Sequence, residues 1–450
     1  MMMLNFLQRL QPFLHLFVLI GLIQMGLFYQ VDLSIILLSC MALEIGVGRL
    51  QGHGISAQIQ RMKQSVFDAF DALLIFMVLG PLIAVWVSAG SIPYLIYHGF
   101  AFQNPSYFLP LTFVICSLSS MVTGTSWGTA STVGLVLLVM GESLGIPNAM
   151  TAGAIVSGAF LGDKMSPISD STNLAAANVK VSVQAHVLAM SYTAIPAFFI
   201  ALALYAFLGL NYQGAVQVLD HSLPNALLAH FSLSLWSLLP FGVLIFGNVM
   251  RWHAVVSMFL SVVVGIGVSL LLQNTSIAEI PRLLMHGYTK STGFPLADDL
   301  LLRGGLAKFS GTFVLCCIAL CFGGLVGQNR LVEQIISPLV KKIKSPKGLS
   351  LLVLLTGFLS VLLMGEIYLG ILMTTQFFLP IFHARKMPAQ LLSRFTEESA
   401  TLMGPLIPWT TASIFMYSTL GVKAQDYIWF CFFNLANLAV SIGFILFRKK

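Results

Sequence analysis

The chain is a succession of apolar runs bounded by Gly, Pro or charge, near residues 12–29, 31–47, 72–98, 108–140, 149–178, 186–210, 232–249, 254–272, 309–329, 349–380, 390–415 and 427–447. Several reach the roughly 20 residues that span a bilayer core. Lys and Arg number 23 and Asp and Glu 16, so charge falls on 9% of positions, against about a quarter in soluble domains. A water-soluble globule is excluded, and the expected class is an all-α polytopic membrane protein.

The net charge of +7 implies no nucleic acid, because excess Lys and Arg in membrane proteins gathers in cytoplasmic loops. Cys40, Cys116, Cys316, Cys317, Cys321 and Cys431 lie in apolar stretches without metal-type spacing and read as small apolar side chains. Arg9 is the sole basic flank of the first run, and no small-residue cleavage site follows it, so 12–29 is expected to be a retained span. The stretches 49–71 and 274–308 are too polar to cross.

Basic clusters set the expected orientation. Lys341, Lys342, Lys344 and Lys347 are the densest, and Arg448, Lys449 and Lys450 close the chain. Placing both in the cytoplasm also puts Arg61, Lys63, Lys180, Arg251, Arg385 and Lys386 there, while 211–230 has no Lys or Arg and faces out. Segment 274–308 then lies outside despite Arg282, Lys290, Arg303 and Lys308, offset by Glu279, Asp298 and Asp299. The solution requires 108–140 and 349–380 each to leave and return to one side, as re-entrant hairpins or as two short crossings. Their polar centres are Thr123 to Thr129 and Gly365 to Gly370. Both termini are expected in the cytoplasm, in the cytoplasmic (inner) membrane.

Sliding the sequence by 241 residues superposes Gly124 on Gly365, Pro147 on Pro388, Ala159 on Ala400, Pro167 on Pro408, Ser169 on Thr410 and Gln184 on Gln425. The matched prolines and glycine are helix breakers, and the charge argument gives the copies opposite orientation. Two inverted-topology repeats with re-entrant hairpins and broken helices are therefore expected. The divisions are 1–48 for N-terminal spans, 49–210 for the first repeat, 211–308 for linking spans and loop, and 309–450 for the second repeat. Such repeats are typical of secondary transporters, which bind substrate and ions near the midplane.

Two segments carry polar residues in apolar surroundings. In the first, Asp163, Lys164 and Asp170 each cost several kcal/mol at membrane depth, roughly 3 by insertion scales, unless paired or wetted. Pro167 frees carbonyls, and Ser166, Ser169, Thr172 and Asn173 add oxygens of the kind hard cations prefer. Na+ is the natural occupant, with Asp163, Asp170 and Ser169 as its ligands. The competing reading is a Lys164–Asp163 pair in a soluble loop with Asp170 as a helix N-cap. In the second, Pro405 and Pro408 interrupt a helix lined by Thr401, Thr410 and Thr411, with Glu397 and Glu398 at its entry. Glu366 is a lone carboxylate at a hairpin centre, where the first copy has Thr125. Na+ and H+ competing for Asp163, Asp170 and Glu366 is the simplest exchange mechanism. Histidines 53, 98, 186, 221, 230, 253, 286 and 383 read as interfacial groups, and Trp127 and Trp409 as packing at least as much as stacking.

The strings TGTSWGT (123–129), TAGAIVSGAFLGDKMSPISDSTNLA (151–175), LSRFTEESATLMGPLIPWTTA (392–412) and STLGV (418–422) resemble NhaC-type sodium/proton antiporters of the ion transporter superfamily. The resemblance implies cation binding at hairpin tips and broken helices. Carried over by position, it implicates Thr125, Ser126, Asp163, Ser166, Ser169, Asp170, Thr172 and Asn173, with Glu366, Thr401, Thr410 and Thr411 in the second copy. Many members carry Asn in the second break, where Thr410 and Thr411 stand here.

The expected function is Na+/H+ exchange by alternating access. The alternative is Na+/H+-coupled exchange of small organic anions of the malate/lactate type, which the same family includes and for which Lys164 is the candidate contact. No catalytic role and no cofactor is expected, and an intramembrane protease would need cleavage activity to be revived. The partners are Na+, H+ and the lipid bilayer, with no nucleic acid and a homodimer allowed.

Overall fold

In lipid, a chain so poor in polar side chains must satisfy its backbone within helices. The computed structural model describes residues 2–99, 105–211, 222–250, 252–294, 297–298, 301–302 and 304–447. His221, Arg251, Asp299, Arg303, Arg448, Lys449 and Lys450, together with segment 212–221, lie outside the described residues. Helix makes up 83% of the structure and no strand forms among the described residues. Eight helices are long and apolar enough to cross a membrane, or up to eleven if each bent pair is one span. The chain is an all-α, multi-pass membrane protein.

Most runs become helices with shifted ends. The first is Met2–Phe28, and Leu33–Leu50 follows, its N-cap Asp32 accepting from Ser34 N–H. The polar stretch 49–71 contains helix Ile55–Asp68. The run 72–98 is two helices, Phe70–Ser88 and Ser91–Gly99, because Gly90 takes φ +79°. The run 232–249 forms Leu235–Leu238 and helix Leu239–Val249 and meets the preceding segment Pro224–His230 at a bend of 92°. Helix Leu331–Lys342 carries two of the clustered lysines and was not marked by any apolar run.

Both segments fold as two helical arms joined by a short turn, with arms longer than the runs suggest: Pro105–Thr123 is followed by a second arm ending at Ser143, and Pro346–Met364 by Ile367–Ala384, the last two both long and apolar enough to cross. The two turns are built alike. Gly124 (φ +71°) and Gly365 (φ +69°) end the first arms in left-handed conformation, which glycine adopts without a Cβ penalty. Thr125 and Glu366 then take extended backbone and cap the next arm, accepting from Gly128 N–H at 3.2 Å and Leu369 N–H at 2.9 Å.

The 241-residue register continues through the packing. Gly124 rests on Ile168 and Gly365 faces the Trp409 carbonyl, so each hairpin tip meets its own helix break at corresponding residues. Gly145 and Lys386, and again Lys180 and Gly421, are left-handed at matching positions. These correspondences are consistent with the expected repeats.

Both breaks follow from proline. The residue before proline is pushed out of the helical region, and Ser166 (ψ 125°) and Ile407 (ψ 117°) comply, ending helix Asn148–Met165 and the turn Gly404–Leu406. The chain restarts as Asp170–Asn178 and Thr411–Leu420, with Ser169 and Thr410 at the N-cap positions.

Helix Asn148–Met165 lies directly against helix Pro105–Thr123. A Cβ on Gly158 would come within 2.5 Å of the Phe113 carbonyl oxygen, and one on Gly162 within 2.3 Å of that of Ser117. Small residues four apart allow such approach in membranes. Gly162→Ala should therefore destabilise the protein by about 1–3 kcal/mol, measured as thermal melting in detergent. An unchanged melting temperature would contradict the close packing.

In the 274–308 segment Lys290 pairs with Glu279 at 2.8 Å, and Lys308 Nζ donates to the Leu302 carbonyl. The Lys290 bond holds Glu279 below its ordinary pKa. Ser291 and Thr292, donating to Asp298, do the same for that carboxyl. Local pairing thus offsets part of the segment's basic charge.

Candidate functional site

Asp163 sits in the last turn of helix Asn148–Met165, 9% exposed. Ser126, the first residue after the hairpin turn, donates to its Oδ2 at 2.7 Å, and Ser169 beyond the break donates to its Oδ1 at 2.5 Å. Hairpin tip, helix end and restarted helix therefore converge on one carboxylate. Ser171 lies 3.2 Å from the Ser169 hydroxyl, extending the line of oxygens.

The other oxygens of the first break are arranged differently. Ser166 donates to the Met121 carbonyl, Thr172 to the Lys164 carbonyl at 3.1 Å, and Asn173 to the Pro167 and Ser169 carbonyls. They satisfy carbonyls that the break set free. Asp170 is the first residue of its helix, exposed, while Ser169 holds the N-cap position. It lies within electrostatic reach of Asp163, at the open side of the break.

On the second copy's side, Glu366 is 4% exposed at the hairpin tip, as its isolation in the sequence suggests. The Thr411 N–H donates to the Gly365 carbonyl at 2.9 Å, tying that tip to the second break. Thr410 donates to the Gly404 carbonyl at 2.6 Å and caps the helix that follows. Thr401 and Thr411 are buried. Tyr368, on the same tip as Glu366, lies within electrostatic reach of Asp170, Asp163, Glu366 and Glu397, so the carboxylates of both copies surround one region.

Behind this region lies a charged network whose pairing no sequence spacing records. Lys164 is fully buried and reaches Asn437 Oδ1 at 3.0 Å and Glu398 Oε1 at 3.8 Å, not Asp163. Arg394 approaches the same Glu398 oxygen at 3.5 Å. The Thr193 and Ser441 hydroxyls also donate to Glu398. Glu397 and Glu398 are both inaccessible. His186, read as interfacial, is buried and bonds to Ser393 at 2.8 Å. His15, passed over in the sequence, bonds to buried Glu44 at 2.7 Å. His53 lines a cleft with Arg61 and Arg330.

Both tryptophans pack. Trp127 stacks on Phe415 with ring centroids 4.4 Å apart, and Trp409 Nε1 donates to the Leu362 carbonyl at 2.7 Å.

A multi-pass helical protein whose broken helices and hairpin tips gather buried carboxylates and hydroxyls has the architecture of a membrane transporter. The chain belongs to the Na+/H+ antiporter family, whose model matches residues 98–186 and 158–449. It is 33% identical to the malate-2H(+)/Na(+)-lactate antiporter of Bacillus subtilis (strain 168), over 84% of this chain and 81% of that protein. It is 30% identical to the Na(+)/H(+) antiporter NhaC of Alkalihalophilus pseudofirmus, over 92% of this chain and 90% of that one. The arginine/ornithine antiporter ArcD of Halobacterium salinarum is 32% identical, over 85% and 80%.

Proposed function

We propose that the protein exchanges Na+ for H+ across the cytoplasmic membrane by alternating access of two inverted repeats, with both termini in the cytoplasm. The observation that carries this reading is Asp163, a nearly buried carboxylate held by hydroxyls from a hairpin tip and a helix break. A hard monovalent cation suits carboxylate, hydroxyl and carbonyl oxygens. Protonation of the same carboxylate removes the charge that binds the cation, so each ion displaces the other. Glu366, at the matching tip, supplies a second carboxylate.

The relatives named for malate, lactate, arginine or ornithine keep an organic substrate as the second reading. Lys164 and Arg394 both face Glu398 rather than Asp163 or Glu366, which favours the first reading. In proteoliposomes, Na+ alone should drive proton movement. A requirement for malate, lactate or an amino acid would establish the second reading instead.

Glu366→Gln tests the second tip. The amide oxygen can still accept from Leu369 N–H, so the turn is retained while the charge is lost. Folded protein with most of its Na+-driven proton flux gone is the expected result, and unchanged flux would remove Glu366 from the mechanism.

A further inference from the structure

The breaks lie beside an unusual turn. Residues Glu397 to Thr401 form a single π-turn in which Leu402 N–H reaches back to the Glu397 carbonyl at 3.3 Å. Such insertions are costly in a helix and concentrate at functional sites. This one aligns the Glu397 and Thr401 side chains and packs against both Asn148–Met165 and Asp170–Asn178, the helices that flank the first break.

Glu397 is wholly inaccessible, yet among the described residues no hydrogen bond within 3.5 Å reaches either carboxyl oxygen, Thr401 and Ser171 standing only close enough for a longer contact, and the buried Thr401 and Thr411 hydroxyls make no such bond. Buried polar atoms are almost always paired. An unpartnered carboxylate costs more than any other such group. The Glu397 carboxyl lies beside Thr401 and Ser171 and within electrostatic reach of Asp163 and Lys164. Ser171, through Ser169, leads directly to Asp163.

The formal charges are informative. Lys164 and Arg394 carry two positive charges, and Asp163, Glu397 and Glu398 carry three negative ones. Glu398 takes the two cations, and His186 beside Lys164 is occupied by Ser393. The trio of Glu398, Lys164 and Arg394 keeps one positive charge and Asp163 with Glu397 carries two negative ones, so the five groups together carry one net negative charge.

We infer that Glu397, with Thr401, is a cation ligand contributed by the second copy, completing with Asp163 a site in a five-group cluster whose one net negative charge is neutralised by a single Na+ or a single proton. This rests on the exchange reading above and adds to it the residue that closes the coordination shell. Lys164 and Arg394 set the count: without them the same carboxylates would hold more than one cation.

The test is equilibrium binding of 22Na+ to detergent-purified protein, alongside Na+-driven proton flux in proteoliposomes. Glu397→Gln should lose saturable Na+ binding. Thr401→Val, which keeps shape and loses the oxygen, should weaken it roughly tenfold or more, and Thr401→Ser should restore it. If Glu397→Gln fails to fold, the Thr401 pair decides. Wild-type affinity in both Glu397→Gln and Thr401→Val overturns the inference, as does the absence of Na+ binding in the wild type. Na+ binding that depends on Glu397 without any proton exchange would instead refute the exchange reading and leave the site standing.

Discussion

Asp163→Asn should abolish Na+-driven proton exchange in everted vesicles, read as loss of the Na+-induced dequenching of a pH-sensitive dye at normal protein level. Asn is nearly isosteric with Asp. One of its side-chain groups still accepts from a serine hydroxyl, and the other can donate to the second serine, whose hydroxyl turns to receive it. The tip, the helix end and the break should therefore stay together. What disappears is the charge. Two unit charges about 4 Å apart interact by roughly 4 kcal/mol at an effective dielectric near 20, so Na+ binding should weaken on the order of 10²–10³-fold, and the proton-carrying group is lost with it. Asp170→Asn should do much less, because Asp170 is exposed at the start of the restarted helix and its charge is screened by water. Full activity in the Asp163 variant would move the exchange chemistry elsewhere.

The fold was legible where the membrane imposes one solution. Apolar runs had to become helices, and Pro167, Pro408, Gly124 and Gly365 had to mark interruptions because their backbone restrictions do not depend on partners. Shifts at run ends have a local cause. Pro105 to Tyr107 and Pro346 to Gly348 are too polar to count as apolar, yet they start helices as readily as other residues, and Ser345 caps the latter. The site was legible in part. Asp163, Ser126, Ser169 and Glu366 stand where polar residues in broken helices suggested. Ser166, Thr172 and Thr410, also expected as ligands, donate to backbone carbonyls, which leaves their oxygen lone pairs open to a cation.

Charge partners were the least legible feature. Asp163 and Lys164 are adjacent and opposite in sign, which invites a local pair, but successive helical residues do not face one another. Asp163 points to the first hairpin and Lys164 to Asn437 on helix Phe432–Phe447 and to Glu398. That meeting is made by tertiary packing between the two copies. No spacing rule records it.

The buried network gives the largest expected effect on stability. Glu398→Gln should destabilise the protein by about 3–5 kcal/mol, because it takes from buried Lys164 and Arg394 the carboxylate they share and replaces one of the two oxygens to which Thr193 and Ser441 donate by an amide NH2. Lys164→Met removes one cation, leaves the Arg394 contact in place and replaces the buried aliphatic stem with one of similar length, so it should cost less. The double variant should recover part of the loss, since one stranded cation has been removed. A coupling energy of at least about 1 kcal/mol is expected for groups in one network, obtained from thermal melts of the wild type, the two single variants and the double variant in the same detergent. Strict additivity would mean that Lys164 and Glu398 do not depend on each other. In that case Lys164 would be compensated by Asp163 or Glu397 instead, and those two carboxylates would keep one negative charge between them, with Arg394 alone balancing Glu398.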